Sequence, residues 1–318
     1  MKIVITGGAG FIGTNLRKRF DADVDQHEIV LLDDLSSGYL ENASDLSQLT
    51  RFVRGSITDI DLVSSLVSDA DAIVHLAARP SVARSIENPA ATTHANVDGT
   101  LTILEAVRES NPAAHIVYAS SSSVYGANQT LPKKEDMATL PISPYAASKL
   151  SGEVYALAYQ ASFGIPVTAF RFFNVYGPYQ RPGHSYAAVV PAFLEAAVKK
   201  RPLPVHGDGT QTRDFTYVGT LVDAIAAVVT RKLTSPTPIN LAFGTRTSLL
   251  ELIASIEDLI KSPVNVQHQP TRPGDVRDSQ ASNDSLISLL PDLQAIPLEL
   301  GLHHTYKWMK TFLANEAT

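Results

Sequence analysis

The chain has 318 residues, 44% of them hydrophobic and 18% charged, with 26 Lys plus Arg against 32 Asp plus Glu and no cysteine. That length can bury one large core or two coupled ones, and a net charge of -6 argues against a general nucleic-acid or anionic-membrane binder, since both need a basic surface. The missing cysteines exclude disulfides, thiolate metal sites and a cysteine nucleophile, and they fit a reducing, cytoplasmic setting.

Lys2 to Thr6 is apolar and strand-like, and it meets a Gly-rich turn too soon to be the core of a signal peptide. Gly13 to Arg19 follows as a helix. Ile29–Leu32, Ala72–Ala77 and His115–Ala119 are further short apolar runs. Between the last two lies a helical pattern from about Asn96 to Arg108, with Leu101, Leu104, Ala106 and Val107 at helical spacing. Buried strands alternating with helices imply parallel strands, helices on both faces and right-handed crossovers: an α/β doubly wound sheet.

After about residue 170 Pro and Gly become dense, from Gly177-Pro178 to Gly209, so simple strand–helix alternation stops. The apolar run Ala187 to Val198 is too short and too interrupted, by Pro191 and Glu195, to cross a membrane. A helix over Thr220–Thr230 and a strand over Ile239–Ala242 then return. Ser248-x-x-Glu251 is a capping box opening a helix through Leu259. Arg272-Pro273-Gly274-Asp275 is a polar loop, and Thr305 to Leu313 forms a last helix. The implied division is a sheet domain over 1–170, rejoined by 210–243, with a smaller α/β domain from 171–209 and 244–318. The nine histidines are scattered, the adjacent pair His303-His304 cannot share a helix face, and no metal site is expected.

Three motifs carry chemistry. Thr6-Gly7-Gly8-Ala9-Gly10-Phe11-Ile12-Gly13 joins a strand to a helix. Gly7 permits the tight turn, Gly10 lets backbone approach a pyrophosphate, and Gly13 lets helix and strand pack closely. Asp33, about 20 residues on, is placed to hold a ribose diol, which favours NAD over NADP. Tyr145 and Lys149 sit at i and i+4 on one helix face, where an ammonium favours phenolate and lowers the tyrosine pKa. Ser120 to Ser123 follow a strand at its carboxyl end, where ligand chemistry gathers in such sheets.

In this order the motifs resemble the extended short-chain dehydrogenase/reductases, in particular the NAD-dependent nucleotide-sugar epimerases, on a Rossmann fold. The resemblance extends through His75-Leu76-Ala77-Ala78, Asn96-Val97-Asp98-Gly99-Thr100, Arg171 to Pro178, Gly207 to Phe215 and Arg272 to Val276. It implies a pyrophosphate loop at Gly7, Gly10, Phe11, Ile12 and Gly13, and a ribose acid at Asp33. Around the adenosine it places Asp34, Leu35, Ser36, Ser37, Gly38, Ser56 and Ile57, and further along the cofactor Leu76, Ala77, Ala78 and Asn96. Ser56 stands where many relatives carry Asp. The implied catalytic set is Ser121, Tyr145 and Lys149. Ser81, Ser122, Asn174, Val189, Val205, Gln211, Asp275 and Ser279 are implied around the substrate, with Arg213 and Arg272 clamping its diphosphate.

Related sugar 4,6-dehydratases place an Asp-Glu pair after the catalytic hydroxyl; here Ser122 and Ser123 stand there. The expected reaction is therefore reversible C4 epimerisation of a UDP-sugar through a 4-keto intermediate with tightly bound NAD. Small Ser279 leaves room for a 2-acetamido group, so UDP-N-acetylglucosamine and UDP-N-acetylgalactosamine are expected beside UDP-glucose and UDP-galactose. Arg181 supplies the competing expectation, a UDP-glucuronate 4-epimerase in which it faces the carboxylate. A UDP-glucuronate decarboxylase and a non-catalytic NAD sensor are the more distant alternatives. The family also implies a homodimer through the helices near Asn96 and Tyr145, with Ala146, Ala147 and Leu150 as the packing face.

Overall fold

The computed structural model describes residues 1–182, 188–271 and 277–316. Six strands form the body of the sheet: β1 (Lys2–Thr6), β2 (Glu28–Asp33), β3 (Thr50–Arg54), β4 (Ala72–His75), β5 (His115–Ser121) and β6 (Val167–Phe172). The strand Ile239–Leu241 completes it beside β6, and every neighbouring pair is parallel. Reading across from that strand, the order is β6, β5, β4, β1, β2, β3. The chain winds one way from β1 to β3 and the other way from β4 onward, so a crevice opens between the carboxyl ends of β1 and β4.

Burial on both faces explains why these strands read as continuous apolar runs. Ile3, Ile5, Ile29 and Leu31 face one core with Leu16, Phe20, Leu221 and Ile225, whereas Val4, Val30, Ile73 and Ile116 face another with Val63, Ile103 and Val107. A third core holds Val190, Phe193, Leu203, Val205, Leu252, Ile256, Leu302 and Met309. It joins the helices Val189–Val198, Leu249–Ile260 and Leu298–Glu316 to a parallel ladder of Leu203–His206 with Val266–Gln269.

The capping box at Ser248 forms as expected, with the Ser248 hydroxyl accepting from Glu251 N–H and the Glu251 carboxylate accepting from Ser248 N–H. Elements with no clear pattern in sequence include three that bear on the sheet. β3 is an edge strand carrying exposed Arg51 and Arg54. The helix Ile60–Val67 is only eight residues long, capped by Asp59. β6 contains Arg171, whose charge is neutralised by buried Glu153 rather than by solvent. The helix expected from Asn96 begins instead as a π-turn over His94–Asp98 and continues as Gly99–Ser110. The last helix is longer than expected, spanning Leu298–Glu316.

Candidate active site

A cavity of about 970 Å³ runs along the carboxyl ends of β1, β2, β4 and β5 and is also lined by Tyr179, Arg181, Ala188, Arg213 and Ser279 from later in the chain. Its floor begins at the Gly-rich turn. Gly7 takes φ +70°, and a Cβ there would lie 2.8 Å from Ala77 N; a Cβ on Gly13 would lie 2.4 Å from Gly7 O. Only glycine allows this turn to press against β4 and its own helix. Gly10 then caps the helix Phe11–Asp21, whose first-turn N–H groups face the cavity mouth as an anion cradle.

Asp33 closes the far side of the turn. Its carboxylate accepts from Ala9 N–H at 3.0 Å and Leu35 N–H at 2.8 Å. Burial pushes its pKa up, and those two N–H groups act the other way. A Cβ on Gly38 would fall 2.8 Å from the carboxylate oxygens, so the 34–38 loop folds tightly over it. Asp34, Leu35, Ser36, Ser37, Gly38, Ser56 and Ile57 all line this end of the cavity.

β4 delivers Leu76, Ala77 and Ala78 to the floor. A directed chain of hydrogen bonds fixes them. Ala77 N–H donates to Thr6 Oγ1, which donates to His75 Nδ1 at 2.7 Å; His75 Nε2 donates to Thr100 Oγ1, which donates to Asn96 O. The chain sets the His75 tautomer, and burial lowers its pKa to about 3, so it stays neutral. Asn96 differs from expectation. It is buried behind the floor, with its side chain bonded to Arg79 N–H, Arg79 O and Ser148 Oγ, and it supports the site without lining the cavity.

At the end of β5, Ser121 accepts from Ser123 N–H at 3.2 Å and from Ser123 Oγ at 2.9 Å. The Ser121 side chain draws the Tyr145 phenol pKa down, while burial, the larger effect, raises it. Lys149 is buried and donates from Nζ to Ala119 O at 2.7 Å, and burial lowers its pKa to about 8. Ser121, Ser122, Tyr145 and Lys149 thus share one wall. The lowered tyrosine pKa expected from the lysine is not found: the ammonium is turned to a strand carbonyl, and the phenol sits above its ordinary value.

Asn174, Arg213, Ser279 and Ser81 also line the cavity. Asn174, at φ +22°, donates from Nδ2 to Asp214 O. Arg213 donates from Nη1 to Thr212 O and Arg277 O, both at 2.9 Å. Ser279 N–H bonds Thr212 O, while buried Asp214 accepts from Ala281 N–H and Gly244 N–H and so fixes the strip beside Ser279. Three expected substrate residues lie elsewhere. Val205 is fully buried in the third core, Val189 packs against that core at a helix start, and Gln211 donates to His206 O within its own loop. Arg272 and Asp275 fall outside the described residues. Sequence reasoning missed Arg79, Tyr39, Ser123 and Tyr179, which also line the cavity; only the Ser-rich run gave a hint of one of them.

Arg181 lines the cavity too, but its guanidinium lies 3.7 Å from the Tyr39 ring centroid and 3.3 Å from Glu41 Oε2. Among the described residues no helix is long and apolar enough to cross a membrane, and no group of three or more His, Asp or Glu is placed to hold a metal ion.

Crevice, glycine cradle and buried Asp33 together define a dinucleotide-binding protein of the doubly wound α/β class. The chain belongs to the NAD dependent epimerase/dehydratase family, which matches residues 3–242. It is 36% identical to the UDP-glucose 4-epimerase of Mycolicibacterium smegmatis over 317 residues, 98% of this chain and 99% of that protein. The UDP-N-acetylglucosamine 4-epimerase of Methanobrevibacter ruminantium, solved with UDP-N-acetylmuramic acid, superposes with a TM-score of 0.91 at 32% identity, covering 99% of this chain and 98% of that one. The UDP-glucuronic acid 4-epimerase of Bacillus cereus, solved with UDP-glucuronic acid and NAD, gives 0.89 at 29% identity, covering 98% and 100%. NAD is the cofactor of this family, and the cradle of Gly7, Gly10 and Gly13 with Asp33 fits it.

Proposed function

We propose that the chain is a UDP-sugar 4-epimerase that interconverts UDP-glucose with UDP-galactose and UDP-N-acetylglucosamine with UDP-N-acetylgalactosamine. The observation that carries the reading is one cavity holding the cradle, the Ser121–Tyr145–Lys149 wall and Asn174 with Arg213. NAD supplies the hydride acceptor and donor when bound. Tyr145, as phenolate, takes the proton of the sugar C4 hydroxyl, and the neighbouring Ser121 hydroxyl on the same wall holds the sugar oxygen. Lys149 supplies the positive charge that favours the phenolate form in which Tyr145 accepts that proton. The sugar turns over as a 4-keto species, and Tyr145 returns the proton to the C4 oxygen on the other face. Ser122 and Ser123 offer no carboxylate for elimination of water, which supports epimerisation over dehydration.

The acetamido sugar is favoured by Ser279, a small side chain facing the cavity. The glucuronate reading relies on Arg181, and the Glu41 pair and Tyr39 stacking commit that cation to the cofactor-loop side. Arg213, and Arg272 by family register, are assigned to the sugar-nucleotide diphosphate. Residues 1–170 with 210–243 are assigned to the sheet domain, and 171–209 with 244–318 to the substrate domain. A homodimer through the Pro144–Phe163 helix is also proposed, with a changed face. Ala146 is buried within the chain and Leu150 packs beside Val124, Tyr125 and Phe173, whereas Val154 and Tyr155 are exposed on the same helix as exposed Ala147.

The test is to incubate purified protein with UDP-glucose, UDP-N-acetylglucosamine and UDP-glucuronate separately and resolve the 4-epimers. Conversion of glucuronate alone overturns the neutral-sugar reading, and failure with the acetamido sugar alone overturns the argument from Ser279. Tyr145→Phe should remove most turnover with the fold intact; an unchanged rate overturns the mechanism. Sedimentation as a monomer at working concentration overturns the dimer.

A further inference from the structure

We propose that Arg79 is a diphosphate-binding residue of the cavity, placed where dinucleotide and nucleotide sugar meet. It follows directly on Leu76, Ala77 and Ala78, past the end of β4, and lines the same cavity as the Gly-rich turn and the Ser121–Tyr145–Lys149 wall. Its backbone is clamped on both sides by one side chain. Arg79 N–H donates to Asn96 Oδ1 at 2.7 Å, and Asn96 Nδ2 donates to Arg79 O at 3.3 Å. Asn96 also donates to Ser148 Oγ, which in turn donates to Tyr145 O. The clamp therefore ties Arg79 to the first turn of the helix that carries Tyr145.

The side chain is treated differently from its backbone. Arg79 Nε is buried with no hydrogen-bond partner, and no carboxylate pairs with the guanidinium among the described residues. A buried donor left without a partner is costly, and folds rarely keep one without a use for it. Most other cations around the cavity are engaged. Lys149 donates to Ala119 O, Lys133 to Asn128 O, Arg213 to Thr212 O and Arg277 O, and Arg181 pairs with Glu41. Arg84, on the short helix Val82–Glu87, also lines the cavity, but it has no buried donor left without a partner. Arg79 is thus a fixed arginine with donor capacity to spend inside the groove. A planar guanidinium fork matches two phosphate oxygens, and a diphosphate is the anion common to both ligands of the proposed reaction.

The assignment rests on the proposed function, and the experiment separates the two. NADH binding is followed by fluorescence and UDP binding by calorimetry, for the wild type, Arg79→Gln and Arg79→Lys, with a thermal melt of each. Loss of the charge-assisted bonds should weaken one ligand about 10- to 100-fold in Arg79→Gln. Weakened NADH assigns Arg79 to the cofactor, and weakened UDP assigns it to the sugar nucleotide. Arg79→Lys, which keeps the charge and loses the fork, should fall between, and it carries the test if Arg79→Gln does not fold. Variants that bind both ligands within about twofold of wild type overturn the Arg79 assignment alone. A wild type that binds neither ligand overturns the function on which it rests.

Discussion

Glu153 lies one turn past Lys149 on the catalytic helix, and a single change there tests how the site is held. Its carboxylate receives Arg171 Nη2 at 2.6 Å, Arg171 Nε at 3.0 Å and the Ser120 hydroxyl at 2.6 Å. Glu153 and Arg171 are 2% and 3% exposed, so water replaces none of these bonds. Arg171 also donates to Glu135 O and lies over the Tyr125 ring, whose hydroxyl bonds Asn240. The pair therefore joins β5, β6, the catalytic helix and the Ile239–Leu241 strand just beneath Ser121. Glu153→Gln turns an amide N–H₂ toward one guanidinium N–H and leaves the Arg171 charge buried without its counter-charge. Removing one partner of a buried pair costs about 3–5 kcal/mol. At about 2 °C per kcal/mol for a chain of this size, the melting temperature should fall by roughly 6–10 °C. Replacing both partners, Glu153→Leu with Arg171→Met, removes the stranded charge and should recover at least half of that loss. Thermal melts at pH 7 give the answer. A Glu153→Gln protein melting within about 2 °C of wild type, or a double variant no better than the single one, refutes the reasoning.

Gly13→Ala should abolish NAD retention, because its Cβ would meet Gly7 O at 2.4 Å and Gly8 Cα at 2.8 Å; the check is the absorbance of bound cofactor after gel filtration. With Lys149 at about pKa 8, it is cationic below that pH and neutral above it, so turnover should fall on the alkaline side with a midpoint near 8. A rate that stays flat well above that midpoint would show that the ammonium is not needed. Ser279→Tyr should cut conversion of the acetamido sugar at least tenfold while UDP-glucose stays within about threefold, measured as kcat/KM for each; equal losses would place Ser279 outside the sugar pocket.

The sheet was legible in sequence wherever both strand faces are buried, since Ile3 to Ile5, Ile29 to Leu32 and Ile73 to Val74 then have no reason to alternate. It was illegible at β3, which is an edge with Arg51 and Arg54 in solvent, and at β6, where Arg171 looks like a surface residue and its partner Glu153 stands eighteen positions away. Local sequence carries periodicity, and a buried ion pair is a fact about tertiary contact.

The same distinction divides the site. Gly7 and Gly13 were legible because backbone collisions within one short turn dictate their residue type, and Asp33 because it ends the next strand at a fixed spacing from that turn. Asn96, Val205 and Gln211 were matched to ligands by register alone, and each does something else in the fold. Asn96 clamps Arg79, Val205 fills a core, and Gln211 closes a loop. Arg79 was illegible for the converse reason: no spacing marks it, and its relevance comes from how the neighbouring cations are partnered. Motif spacing thus locates groups whose chemistry depends on the backbone beside them. A charge held in reserve is visible only by its lack of partners, which requires the folded chain.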